Sequence, residues 1–228
     1  MRKRVTTEGS YVFRERDDGE LEFIGDFDGL YRNEKDPWAQ SGNNDQWVDY
    51  YNFSRDNIVK AIDQLPSTGS LVEIGSGIGF VTDFIAQNLP GYEVDGMDIS
   101  SVAVERASEK FPKYNFMSCD IGSRDFGLVE KYNVVLLNQL LWYILQNLET
   151  AISNCHKLIK SGGYLVISQS FLREKQRYGS DIVEGCEGLS DFLAKHHQAE
   201  FSLLKMHYDE TEEFIHHDGL LIYKKLEA

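Results

Sequence analysis

From residue 71 onward, apolar and polar positions alternate between two periods. Short apolar runs at 71–75, 92–97, 114–118, 133–138 and 163–168 have the length of strands. Between them, at 79–89, 101–110 and 142–159, apolar residues recur every three or four positions, as on one face of a helix. Strands alternating with helices at this spacing predict a doubly wound α/β fold, a mostly parallel sheet wrapped by helices. Beyond it, Gln169 to Gly188 reads as a long connection, Leu189 to His196 as a short helix, and residues 201–204 and 219–223 as a closing antiparallel pair.

The first seventy residues are patterned differently. Tyr11 and Phe13 alternate with polar residues, Asp17-Asp18-Gly19-Glu20 carries a turn signal, and Leu21 and Phe23 alternate on the return, so residues 10–24 predict a hairpin. Asp36-Pro37-Trp38 and a polar loop from Gln40 to Gln46 follow, then a helix from about Asp49 to Gln64. Phe27, Tyr31, Trp38, Trp47, Tyr50, Tyr51 and Phe53 crowd this segment. They read either as an apolar cluster pinning the extension to the domain or as a lid whose rings face a cationic sulfonium or amine. Residues 1–55 are therefore set apart as a hairpin and lid-like extension, and 56–228 as the main domain, the whole forming one structural unit.

Candidate chemistry begins at Glu73-Ile74-Gly75-Ser76-Gly77-Ile78-Gly79, where an apolar strand enters three alternate glycines and a helix follows. Glycine lets the backbone turn sharply and lets a ligand reach main chain where a Cβ would intrude. The next strand ends in Asp98, 19 residues after Gly79, where a mononucleotide-binding half places its acceptor for ribose hydroxyls. The third ends near Asp120. In this sheet Glu73, Gly75, Gly77, Asp98, Asp120 and Asn138 all fall at carboxyl ends of strands.

These residues resemble the class I S-adenosylmethionine (SAM)-dependent methyltransferases. Residues 73–79 are similar to that family's first motif, E-x-G-x-G-x-G. The resemblance implies SAM as cofactor, released as S-adenosylhomocysteine, and a seven-stranded sheet whose last strand is antiparallel. It implies Glu73, Gly75, Ser76, Gly77 and Gly79 at the cofactor turn, Asp98 at the ribose, Asp120 and Ile121 at the adenine, and Asn138 at the methionine moiety, with Ile99 also in the cofactor-binding set. Residues 132–138 resemble the fourth strand, although Asn133 stands where the family commonly has Asp. The Asp-Pro-Trp element with its aromatic helix is loosely similar to small-molecule and glycan-tailoring methyltransferases, including nodulation-type N-methyltransferases. Trp38 joins the cofactor set on that basis, and Arg55 is a candidate partner for the SAM carboxylate, since a planar fork suits a carboxylate.

Composition narrows the acceptor. A net charge of −14 disfavours a nucleic-acid substrate, which needs a basic surface. Cys119, Cys155 and Cys186 have neither disulfide-framework nor zinc spacing, no metal constellation appears, and no stretch approaches the ~20 apolar residues of a bilayer span. Met1-Arg2-Lys3-Arg4 is basic, but no apolar run follows it. The expectation is a cytoplasmic monomer or homodimer acting on a small-molecule acceptor without membrane insertion. Gln139 and Tyr143, leaving the fourth strand, are placed to orient the acceptor. His216 and His217 are the candidate bases, at the start of a strand taken to lie on an edge, while His156, His196, His197 and His207 read as surface residues. Three function classes follow: a small-molecule N- or O-methyltransferase, a SAM-binding but silent partner subunit, and a protein methyltransferase. A nicotinamide-dependent oxidoreductase is disfavoured because position 80, three after Gly77, is Phe.

Overall fold

The computed structural model describes residues 11–41, 45–66, 68–174, 176–209 and 216–227, with only the backbone of 45–47. The basic start Met1 to Arg4, the centre of the polar loop and the Trp47 side chain lie outside the described residues. A hairpin of β1 (Phe13–Glu15) and β2 (Leu21–Phe23) is followed by α1 (Phe27–Asn33) and α2 (Asp45–Asp63). Helix α2 runs unbroken across residues 55 and 56, where the sequence reading divides extension from domain. The alternating core then runs β3 (Gly69–Ile74), α3 (Phe80–Asn88), β4 (Tyr92–Asp98), α4 (Ser101–Lys110), β5 (Phe116–Ser118) and β6 (Tyr132–Asn138). After α5 (Leu141–Ile144) and a 3₁₀ turn (Leu145–Asn147) come α6 (Leu148–Leu158), β7 (Ile159–Leu172), α7 (Gly185–His196), β8 (Phe201–Tyr208) and β9 (His216–Lys225).

The large sheet has seven strands in the order β5-β4-β3-β6-β7-β9-β8. All neighbours pair in parallel except β9, antiparallel to both β7 and β8. Strand side chains alternate between faces. Val72, Ile74, Val135, Leu137, Leu165 and Ile167 share one core with α6 and α7, while Leu71, Val94, Val134, Leu136 and Val166 share another with α2 and α3. Burial on both faces explains why these strands read as unbroken apolar runs. The chain order reverses between β3 and β6, which opens a crevice at their carboxyl ends.

Four local expectations are corrected. The helix expected over 142–159 is split, because the backbone leaves helical geometry at Ile144 (φ −110°) and again at Asn147 (φ −123°). Leu141, Leu145, Leu148 and Ile152 nevertheless stay buried, so the apolar spacing passes through the break unmarked. The fifth core strand extends well beyond 163–168, because β9 pairs with it as far as Leu172 opposite His216. Strand β9 is therefore an interior strand, and β8 is the edge. His197 is buried, 2% exposed, with its ring nitrogen 2.8 Å from Glu200.

Two clamps fix α1 over the crevice. Asp28 accepts from the Ser100 hydroxyl (2.6 Å) at the start of α4, and the Arg106 guanidinium donates to the carbonyls of Tyr31, Glu34 and Lys35. The hairpin is held differently. Arg177, in the loop after β7, donates to the Gly19 carbonyl and pairs with Glu15 (3.2 Å), while Phe13 and Phe23 lie against Tyr178. No described helix is long and apolar enough to cross a membrane.

Candidate active site

The crevice holds a cavity of about 680 Å³, within the ~300–1,000 Å³ range of small-molecule sites. One half is the glycine turn. Gly75, Ser76 and Gly77 line it, with Asp98 and Ile99 from the end of β4 and Asp120 and Ile121 after β5. Gly75 and Gly77 have φ of +79° and +53°, a region that favours glycine. A Cβ on Gly75 would meet Leu140 at 2.8 Å, and one on Gly77 the Tyr31 hydroxyl at 2.7 Å. The turn is thus closed to side chains but open to a ligand.

Asp98 is almost wholly buried and accepts from the Gly77 and Ser100 backbone N–H groups at 2.8 and 2.9 Å. Burial pushes its carboxyl up to about 6, against the pull of those two donors. Glu73 lies beneath the turn and does not line the cavity. It accepts from the Thr82 hydroxyl (2.6 Å) and the Asn138 amide (3.1 Å), tying β3 to α3 and β6, and burial pushes it to about 7. Gly79 also stands outside the lining; it caps α3, and its Cβ would strike Phe116.

Two polar atoms in this half, Ser76 Oγ and Asn138 Oδ1, are buried with no hydrogen-bond partner among the described residues. Such orphans cost about 1–3 kcal/mol each unless a ligand or water satisfies them. Ile99, 52% exposed, offers apolar surface to the cavity. Orphaned polar atoms, a buried carboxylate, an apolar face and a turn closed to Cβ atoms fit a bound nucleoside carrying an amino-acid tail.

The other half is aromatic. Trp38, Tyr143, Phe27, Tyr31, Tyr50 and Tyr51 line it, and Tyr143 lies 5.4–6.0 Å from the rings of Phe27, Trp38 and Phe13. The Trp38 indole donates to Tyr31 Oη (2.8 Å), and the Tyr51 hydroxyl donates to the Trp38 carbonyl. Gln139 sits in the left-handed region (φ +54°) where β6 ends, a conformation costing a non-glycine residue about 1–3 kcal/mol. It is held there by the bond from its N–H to the Ser168 carbonyl (2.8 Å) and by its side-chain oxygen accepting from Ser170 N–H (2.8 Å). Its amide then donates to Tyr50 Oη (3.1 Å).

His216 lines this half, its ring edge-on to Tyr50 at 4.2 Å. Burial, then the charges of Arg173 and His217, lowers its pKa and favours the neutral imidazole. His217, one residue on, falls outside the lining, with its ring nitrogens on the Asp209 carbonyl and Arg173. Arg55 is also outside; it donates to the Gln40 carbonyl (3.2 Å), part of the cavity wall, and its Nε is buried without a hydrogen-bond partner among the described residues. Sequence reasoning missed Gln169, Ser170 and Asp218. The available signal was period two: Asp218 follows His216 on the same face of β9, polar beside an apolar run.

Residues 72–165 match a family described as "Methyltransferase domain". Over 146 residues the chain is 28% identical to a citrinin polyketide synthase of Monascus ruber, an alignment covering 58% of this chain. The chain spans only 5% of that relative's length. Among solved structures, the N-methyltransferase NodS of Bradyrhizobium japonicum WM9, in complex with S-adenosyl-L-homocysteine, superposes with a TM-score of 0.66 at 18% identity, covering 88% of this chain and 98% of that one. The CurJ carbon methyltransferase gives 0.65 at 19% identity, covering 90% and 63%. At these identities the structural likeness establishes the fold.

Proposed function

We propose that the chain is an S-adenosylmethionine-dependent methyltransferase that moves the methyl group to a nitrogen or oxygen of a small polar metabolite, a sugar or glycan precursor among them. The observation that carries this reading is the continuity of one cavity from the glycine turn and Asp98 to Gln139, Tyr143 and His216.

When bound, the cofactor supplies a methyl group already activated by its sulfonium. The work left to the protein is holding, orienting and drying. In this reading Asp98 takes the ribose hydroxyls, Ile99, Asp120 and Ile121 enclose the adenine, and Ser76 and Asn138 meet the amino-acid tail. Glu73 and Gly79 act from behind the turn by fixing its shape. Arg55 braces the Trp38–Gln40 wall through the Gln40 carbonyl. Trp38 and Tyr143 close the acceptor half against water, and Gln139 orients the acceptor. Holding two reactants in line can lower the barrier by about 7–11 kcal/mol without covalent participation by the protein. His216, neutral and facing the cavity, is the histidine available to a hydroxyl acceptor as general base; His217 is withdrawn from that role by its position.

Calorimetric titration with SAM, with NADH as control and with Asp98→Ala, tests the cofactor half. Micromolar binding of SAM, weakened about 10–100-fold in the variant, supports the reading; no binding of SAM by the wild type sinks it. S-adenosylhomocysteine release across a metabolite panel then separates an enzyme from a silent SAM-binding subunit.

A further inference from the structure

Asp218 is a buried carboxylate, 7% exposed, one hydrogen bond behind the cavity wall. Its Oδ1 lies 2.9 Å from Tyr50 Oη, and Tyr50, 6% exposed, faces the cavity. Burial raises its pKa; Tyr50 and Ser54 hydrogen bonds oppose that, and among the described residues the charged group acting on it is another carboxylate, Asp209, which raises it further. No lysine or arginine among the described residues pairs with it, and none lines the cavity. A buried carboxylate without a cation carries a large desolvation penalty, which protonation or a cationic ligand relieves. Around it the wall is aromatic, the surface that accepts an organic cation and gives an anion no partner.

Resting on the methyltransferase reading, we propose that the acceptor is an amine, received as its ammonium ion by Tyr50, with Asp218 as the positioning residue that takes its proton through Tyr50. One ammonium proton passes to Tyr50 Oη as the phenolic proton passes to Asp218 Oδ1. The nitrogen lone pair so released forms the new carbon–nitrogen bond, and the methyl carbon–sulfur bond breaks with its electron pair left on sulfur. The product leaves as a methylated ammonium ion, and Asp218 returns its proton to water. Gln139, donating to the same phenol oxygen, fixes the direction in which Tyr50 meets the amine. Anionic acceptors, phosphorylated ones included, are excluded by the same walls.

Calorimetry on the S-adenosylhomocysteine-loaded protein tests this with three probes of one shape: benzylamine, benzyl alcohol and benzoate. The amine is expected to bind about tenfold or more tightly than either of the others, the scale of one charge-assisted hydrogen bond. Asp218→Asn is expected to erase the preference while leaving S-adenosylhomocysteine affinity unchanged, Tyr50→Phe to do the same, and Asp218→Glu to restore part of it. Equal binding of amine and alcohol, binding of none of the three, or an amine preference that survives Asp218→Asn overturns the proposal. Failure of the wild type to bind S-adenosylhomocysteine would instead sink the methyltransferase reading, so the two failures are distinguishable. The unchanged nucleoside affinity of Asp218→Asn, with Tyr50→Phe as second variant, separates the effect from any loss of folding stability.

Discussion

The two halves of the cavity are built on opposite principles. The cofactor half is made of backbone: two glycines with positive φ, N–H groups aimed at Asp98, and strand ends fixed by parallel pairing on both sides. The acceptor half is made of side chains drawn from distant parts of the chain, Trp38 and Tyr50 from the extension, Gln139 and Tyr143 after β6, His216 and Asp218 from β9. Backbone geometry tolerates few substitutions and so leaves a recognisable spacing. A wall of side chains can be assembled from many residues, and its specificity lies in hydrogen-bond partners that linear order does not reveal.

The sharpest way to break this contrast is at the turn. Gly77→Val places a branched Cβ at φ +53°, against the Tyr31 hydroxyl, and is expected to abolish SAM binding and to lower stability by about 1–3 kcal/mol. Calorimetry and thermal unfolding read the two effects. Asp98→Ala should weaken SAM by about 10–100-fold with the fold intact, the scale of hydrogen bonds to a charged group. On the acceptor side, Gln139→Gly relieves a strained backbone and deletes an orienting amide. It should lower kcat/KM by about tenfold or more, with the SAM dissociation constant within about twofold of wild type; the strain relieved, about 1–3 kcal/mol, is offset by the Ser170 N–H left without its acceptor, so stability should change little.

A smaller effect comes from pH. Asp98 sits near 6 in the folded protein against an ordinary 3.8, so the native state holds the extra proton between those values. Its contribution to stability therefore falls as pH rises through that window. Ribose hydroxyls donate to the ionised form, so SAM should bind more tightly as pH rises through about 6, with proton release on binding below it. Titrations in buffers of differing ionisation enthalpy check the sign; pH-independent affinity from 5 to 7 would remove Asp98 from the ribose. The smallest change is Arg177→Ala. Its ion pair with Glu15 is exposed, so the loss of stability should stay below about 1 kcal/mol, seen as a slight drop in Tm.

What the sequence discloses follows the same division. The alternation of strands and helices, the glycine turn and Asp98 are legible because burial on both faces and a backbone turn each impose a residue pattern. The seven-stranded order with antiparallel β9 agrees with the expectation drawn from the family resemblance. The broken helix after β6 is not legible, since Leu141, Leu145 and Leu148 keep helical spacing through the 3₁₀ turn. Nor is the separation of His216 from His217: adjacent residues on a strand face opposite ways, and which one meets the cavity depends on register with β7. Glu73's hydrogen bonds to Thr82 and Asn138, which tie the turn to α3 and β6, are likewise not legible in the motif's spacing.

The reversed direction of β9 has a consequence for how a fold of this design can diversify. Every parallel strand reaches the crevice with its last residues, but β9 reaches it with its first, so His216 and Asp218 arrive there before the strand's apolar stretch from Leu220 begins. Changes at these positions leave the strand's buried half and the nucleotide turn untouched. In the methyltransferase reading, a lineage could exchange one acceptor for another by altering the beginning of its final strand and the facing turn of α2, while keeping the nucleotide turn whole.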